Sequence, residues 1–146
     1  MLHIETRGML EARARWADVQ ERLRDITPVL EDVRRAWLAS NARTFATRAG
    51  GTWPPLAQRT LARKRRRGMP PTPLVGHRGR LLEELSVAPP INQLSATRLR
   101  LGTRSALAEL HHTGRGVPRR RLVDLPPSFE NDAVRALLRH LLGGAR

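Results

Sequence analysis

From Arg34 through Leu82 the chain carries twelve arginines or lysines and not one aspartate or glutamate. No other feature of its 146 residues constrains the fold as tightly. A block such as Arg63-Lys64-Arg65-Arg66-Arg67 repels itself in any compact arrangement that lacks an anionic partner. The stretch has to stay at the surface, either as a flexible solvated arm or as a contact element for an acidic partner. Pro70, Pro71 and Pro73 follow the block, so Gly68 to Gly79 is expected as an extended loop rather than helix. This Pro-rich, Gly-rich middle places the ordered elements at the two ends of the chain.

The formal net charge is +14, from 27 Lys plus Arg against 13 acids, and Lys64 is the single lysine. Near-exclusive arginine favours fixed bidentate contacts to carboxylate or phosphate, and GC-rich codon usage gives the same composition. A charge this large calls for an acidic counterpart: nucleic acid, an anionic protein surface or counterions.

The length fits one domain, 1–146. Apolar residues are mostly Leu, Ala and Val, with three Trp, two Phe and no Tyr, so the core is expected to be thin and aliphatic. Association with other subunits would add materially to the stability of such a domain. No cysteine is present, which excludes disulfides and thiolate metal sites. A basic-then-apolar leader is missing and no run approaches the roughly 20 apolar residues needed to cross a bilayer, so a soluble protein of the cytosol, or of a particle assembled there, is expected.

Leu2 to Glu5 alternate apolar and polar, which predicts a short strand. Met9, Ala12, Trp16, Val19, Leu23 and Ile26 then line one face of a helix. The same spacing suits a coiled-coil seam, but over too few heptads, so intramolecular packing is expected. Thr27 before Pro28 predicts an N-cap with Pro in the first turn of a second helix, carrying Leu30, Val33, Trp37 and Phe45 toward Gly50-Gly51. Leu81 to Val87 and Thr97 to Thr103 are expected as strands of a hairpin joined across Pro89-Pro90-Ile91-Asn92. Leu99 and Leu101 would face inward there, and Arg98 and Arg100 outward.

Ser105 is placed to cap a short helix through His112 that ends at Gly114, and Arg119 to Leu125 is expected to return as a strand. Ser128 is placed to cap the last helix, whose apolar face is Val134, Leu137, Leu138 and Leu141 before Gly143-Gly144. The expected class is α+β. A helical part over 1–49 precedes an extended basic loop over 50–80, then a small antiparallel β-sheet and a C-terminal helix over 81–146.

Motifs for nucleophilic, nucleotide-binding or zinc-peptidase chemistry are missing, so no catalytic residue, cofactor or metal is expected. Glu109 with His111 and His112 comes nearest to a metal or acid–base group. Adjacent histidines on a helix point about 100° apart and share one ion poorly, so one is expected to bond at the helix end and the other to be wet. The Arg63–Arg67 block is suited to phosphates without reading bases.

Gly50-Gly51-Thr52-Trp53-Pro54-Pro55-Leu56, then Thr60 and Lys64, then Pro73-Leu74-Val75, Gly79-Arg80-Leu81 and Leu85, form an ordered set of motifs. Leu99-Arg100-Leu101-Gly102-Thr103, Ala108, His111-His112 with Gly114, and Pro118 with Arg120 continue it. Over about two thirds of its length the chain thus resembles the phage virion morphogenesis family, which includes the Mu-like G proteins and the P2-like tail-completion proteins. The resemblance implies a non-catalytic virion protein of the phage neck or tail, acting in tail completion or head-to-tail joining as a subunit of a homo-oligomeric, six-fold ring. Its partners would be connector, terminator or tail-tube proteins. Trp53, Pro54, Pro55, Leu56, Gly79, Leu81, His111 and Gly114 would be architectural: Trp53-Pro54-Pro55 a plug over the sheet, Gly79 a turn, Gly114 a helix cap. Arg59, Arg63, Lys64, Arg65, Arg66, Arg67, Arg78 and Arg80 would reach a neighbouring ring, whose carboxylates lie up to Asp32 and from Glu83 on. The alternative is a nucleic-acid-binding module whose basic loop touches phage DNA.

Overall fold

The computed structural model of the chain describes residues 8–75 and 80–143. The strand expected at Leu2 to Glu5 lies outside the described residues. In chain order the elements are α1 (Met9–Arg24), α2 (Thr27–Thr47), α3 (Gln58–Arg66), α4 (Arg80–Ser86), β1 (Ile91–Ser95), β2 (Arg98–Gly102), α5 (Ala106–Thr113) and α6 (Ser128–Leu142). Helices and one two-stranded antiparallel sheet make an α+β fold.

The middle helix, α2, organises the rest, packing against α4, α6 and the hairpin. Thr27 does not cap it: the N-cap is Ile26, which has no side-chain cap, while Oδ1 of Asp25 accepts from the Thr27 amide at 2.9 Å and Pro28 fills the first turn, where a missing N–H costs nothing. Ion pairs of Glu31 with Arg34 and Asp32 with Arg35 brace the next turn. Val29, Asn41, Thr44 and Phe45 form its buried face. Asn41 donates through Nδ2 to the Leu85 carbonyl at 2.9 Å, joining α2 to the end of α4.

At the end of α2 the chain makes an unusual turn. Arg48, Ala49, Gly50 and Gly51 all have left-handed backbone, with φ between 51° and 85°. Non-glycine residues seldom adopt this conformation singly, let alone in pairs. Amide bonds from Ala49 to the Thr44 carbonyl (2.7 Å) and from Trp53 to the Arg48 carbonyl (3.2 Å) hold the turn. It folds Trp53 back onto Phe45 in an edge-to-face pair with centroids 5.2 Å apart. These two rings, with Leu81, Leu85, Ala108 and Leu122, are the buried cluster. Trp53 sits inside this cluster rather than over the sheet. Each large side chain there contributes roughly 1.5–3 kcal/mol, so so small a cluster leaves much to the polar bonds that staple distant segments together.

Three expectations are corrected. The 50–80 stretch is not an extended loop throughout, because Gln58 to Arg66 is helical. Its cations crowd the last turn, Arg63 to Arg66, where the partial negative charge of the helix C-terminus offsets their repulsion. Leu81 to Val87 is not a strand: α4 buries Leu81 and Leu85, four residues apart, and Arg80 pairs with Glu84 across one turn. A strand there would have turned Glu83 inward with both leucines.

The hairpin instead pairs β1 with β2 in the register Ile91↔Gly102 to Ser95↔Arg98, with Ala96-Thr97 as a two-residue turn. Leu99 and Leu101 lie on its sheltered side while Arg98 and Arg100 are exposed, as the alternation predicts. Finally, Arg119 to Leu125 forms no strand. The Arg120 amide donates to the His111 carbonyl at 2.7 Å, and the Leu122 amide to Nδ1 of His112 at 3.3 Å. A helix end, rather than a strand, is what this segment pairs with.

The helix ends behave mostly as their residues dictate. Ser105 accepts from the Ala108 amide and caps α5, and Gly114, at φ 79°, ends it. Gly143 ends α6 in the same way, but α6 begins at Ser128 after Pro127 with no side-chain cap. Among the described residues the stripe of α1 is left largely uncovered, contrary to the intramolecular packing expected of it. Not one residue of α1 is buried, and it touches the end of α6.

Candidate functional site

Two features of the 50–122 region bear on function: a basic helix, and a polar node that binds the prolines leading into it. On α3 the inner side carries Thr60, Leu61 and Lys64, all half-buried, while Arg59, Arg63, Arg65, Arg66 and Arg67 are exposed. Among the described residues no carboxylate lies within ion-pair distance of those five arginines. Elsewhere acids meet arginines within one helical turn, as in Asp18–Arg22 at 2.9 Å and Glu31–Arg34 at 2.7 Å. The acids of the chain are thus largely spent on local pairs, and α3 presents uncompensated charge.

Lys64 does not belong with the exposed cations. Its ammonium donates to the backbone carbonyls of Pro70 at 3.0 Å, Thr72 at 2.7 Å and Val75 at 2.6 Å. Three donors on one nitrogen meet three acceptors, which closes the Pro-rich loop under α3. Burial pulls its pKa below the ordinary lysine range. Arg80 also leaves the contact set in part, since its Nε donates to Glu84 at 2.8 Å. Glu84 in turn accepts from the Thr103 hydroxyl at 2.5 Å, which with Arg80 holds its carboxyl below the usual range. Arg78 and Gly79 lie outside the described residues.

The node is built on Arg120, a buried arginine whose recorded partners include no carboxylate. It donates to the Pro54 carbonyl through Nε at 3.2 Å and Nη2 at 2.8 Å, and to Pro55 at 3.3 Å. Its Nη1 reaches Pro118 at 3.4 Å and Nδ1 of His111 at 3.3 Å. Proline carbonyls suit this role, because the Trp53-Pro54-Pro55 backbone is stiff and lacks competing amides at both prolines. Indole Nε1 of Trp53 donates to the Arg121 carbonyl at 2.9 Å, a second stitch between the same two segments. Gly114 admits the returning chain: a Cβ there would lie 2.9 Å from that of Arg119.

Both histidines serve this node, so the expectation of one bonded and one wet is corrected. His111 faces Arg120 and the Pro118 carbonyl, and His112 accepts from Leu122. Burial lowers the pKa of His111 and of Arg120. Glu109 is exposed, and among the described residues no three of His, Cys, Asp or Glu are grouped to hold a metal ion. Between α3 and α5 runs an open groove of about 430 Å³, lined in part by Leu56, Arg63, Leu74, Leu107 and His111.

The sequence motifs thus converge. Trp53, Pro54, Pro55, Leu81, His111 and Gly114 all meet in or beside the core, while Leu56 lines the groove. Arg120 is the residue whose importance the sequence understated. It stands in a run of three arginines, of which the structure buries Arg120 and leaves Arg119 and Arg121 exposed; its one sign in the sequence was its place two residues after Pro118 in the motif set. No helix among the described residues is long and apolar enough to cross a membrane. Comparison with protein-family models, curated proteins and solved structures finds no match to this chain.

Proposed function

We propose that this chain is a non-catalytic structural protein of a phage virion, acting at the neck or tail in tail completion or head-to-tail joining as a ring subunit. The observation that carries the reading is that Trp53, Pro54, Pro55, His111, Pro118 and Arg120, all residues of the motif set, meet in one hydrogen-bonded node. Motifs that preserve a shape are what an assembly protein requires. The node holds Pro54 and Pro55, which lead into α3, and the exposed arginines of α3 are the element that meets an acidic neighbour in the particle. The test is deletion of the gene in the phage or prophage that encodes it. Unjoined heads and tails under the electron microscope, rescued by the wild-type chain but not by one with Arg63, Arg65, Arg66 and Arg67 changed to Ser, are expected; normal virions would overturn the reading.

A second reading, contact with the phage genome, is favoured by the missing carboxylates around α3. Phosphates would supply the counter-charge, with binding that weakens steeply as salt rises. A gel-shift series with the same Ser variant separates the two. Loss of salt-sensitive DNA binding supports phosphate contact, whereas unchanged DNA affinity with failed assembly assigns α3 to a protein partner.

A further inference from the structure

We propose that the exposed apolar strip on α1 and the last turns of α6 is a self-association surface, covered by a second copy of this chain. Met9, Ala12, Trp16, Val19 and Leu23 follow the alternating three- and four-residue spacing of a helix-on-helix seam. Among the described residues of the subunit no helix is laid along that seam. Trp16 is 68 % exposed, and Met9 and Leu23 are exposed as well. What pins α1 is polar and sits at its C-terminal end. His140 Nε2 donates to the carbonyls of Arg22 (3.1 Å) and Asp25 (3.0 Å), and Arg22 donates to the His140 carbonyl at 3.1 Å.

The preceding turns are left with a shallow groove of about 360 Å³, lined by Ala12, Trp16, Val19 and Leu142. Leu142, 76 % exposed, continues the strip into α6, where Val134 and Leu138 stand four residues apart on the same ridge and are also exposed. Contiguous large apolar side chains of this extent mark a surface meant to be covered, and tryptophan is the residue type most enriched among the anchors of such interfaces.

Charge selects the occupant. On α1 four arginines face three carboxylates, and on α6 two face two, several joined in local ion pairs. Two copies of a +14 chain repel each other on the whole, and this strip, where arginines and carboxylates nearly balance and Arg15 lies beside Glu11, is where they meet with little like-charge repulsion. A polyanionic partner is drawn instead to α3, with five cations and no acid between Gln58 and Arg66. The seam, a helix stripe matched to a like stripe, therefore fits α1 of a second copy, with the α6 ridge extending the contact.

This inference rests on the ring reading only for the number of copies. Sedimentation of the full chain across a concentration series, at low and high salt, tests it. A mass above the 16.4 kDa of one copy is expected and should persist at high salt, since the contact is apolar. Trp16→Glu and, separately, Met9→Glu should return the mass to one copy with an unchanged far-ultraviolet circular dichroism spectrum. Arg65→Ser with Arg66→Ser should leave the assembly intact. A wild-type chain that stays monomeric, assembly that survives both glutamate substitutions, or assembly lost at high salt would each overturn the proposal. A closed dimer abolished by Trp16→Glu would uphold this surface while sinking the ring.

Discussion

Arg120 grips Pro54 with two nitrogens on one carbonyl oxygen, Nε at 3.2 Å and Nη2 at 2.8 Å, across 66 residues of chain. A guanidinium suits the position because its planar fork reaches Pro54, Pro55, Pro118 and His111 at once. Arg120→Lys keeps the charge and loses the fork. It is expected to lower the free energy of unfolding by about 3 kcal/mol, measured by guanidinium denaturation, and to move Trp53 emission to the red as its segment loosens.

Lys64 poses the converse case. Its three carbonyl acceptors surround a single nitrogen, a geometry that a flat guanidinium does not match. Lys64→Arg, neutral at an exposed position, is expected to cost about 1–2 kcal/mol here. Limited proteolysis should show faster cleavage within 69–75.

Backbone handedness gives a pair of predictions of opposite sign. Arg48 is exposed with φ 53°, so Arg48→Gly removes a steric penalty and should raise stability by about 1 kcal/mol despite the freer unfolded chain. Gly114→Ala meets both a φ of 79° and Arg119 Cβ at 2.9 Å, and should lower stability by about 2 kcal/mol or more. Thermal denaturation of the two variants beside the wild type checks both.

The His111 environment makes stability depend on pH. Burial is the main cause of its lowered pKa; the Pro118 carbonyl works the other way, and the Arg120 guanidinium adds to burial. The unfolded chain takes up this proton near the ordinary 6.5, whereas the fold takes it up at lower pH. Between those two points the unfolded state binds more protons, so stability is full above 6.5 and declines as pH falls below it. His111→Gln should flatten the fall in melting temperature between about pH 7 and pH 5; an unchanged slope would assign the effect to other groups.

Local chemistry made much of this fold legible. The stripe of α1, the Pro28 start of α2, the Ser105 cap, the Gly114 and Gly143 ends and the alternation of β2 each depend on neighbours within a turn or a strand. Leu81 to Val87 is a short apolar run that fits either period, and the choice falls to what buries it; Asn41 and the core packing of α4 make it helix. The basic block is helical despite its like charges, because a helix spreads them around its axis and sets its own negative end beneath them.

What the sequence by itself determined is the course of α1 and β2, the Pro28 start of α2, the Ser105 cap and glycine end of α5, the Gly143 end of α6, and the excess of positive charge between Arg34 and Leu82. Only the tertiary structure decided which cations face outward. Lys64 and Arg120 look like their neighbours in the chain, yet both turn in, because backbone carbonyls converge on them, from the loop six to eleven residues further on for Lys64 and from Pro54 and Pro55 for Arg120. Such a cage exists only once those segments are packed, since a buried cation without it would carry a desolvation cost no local preference could offset.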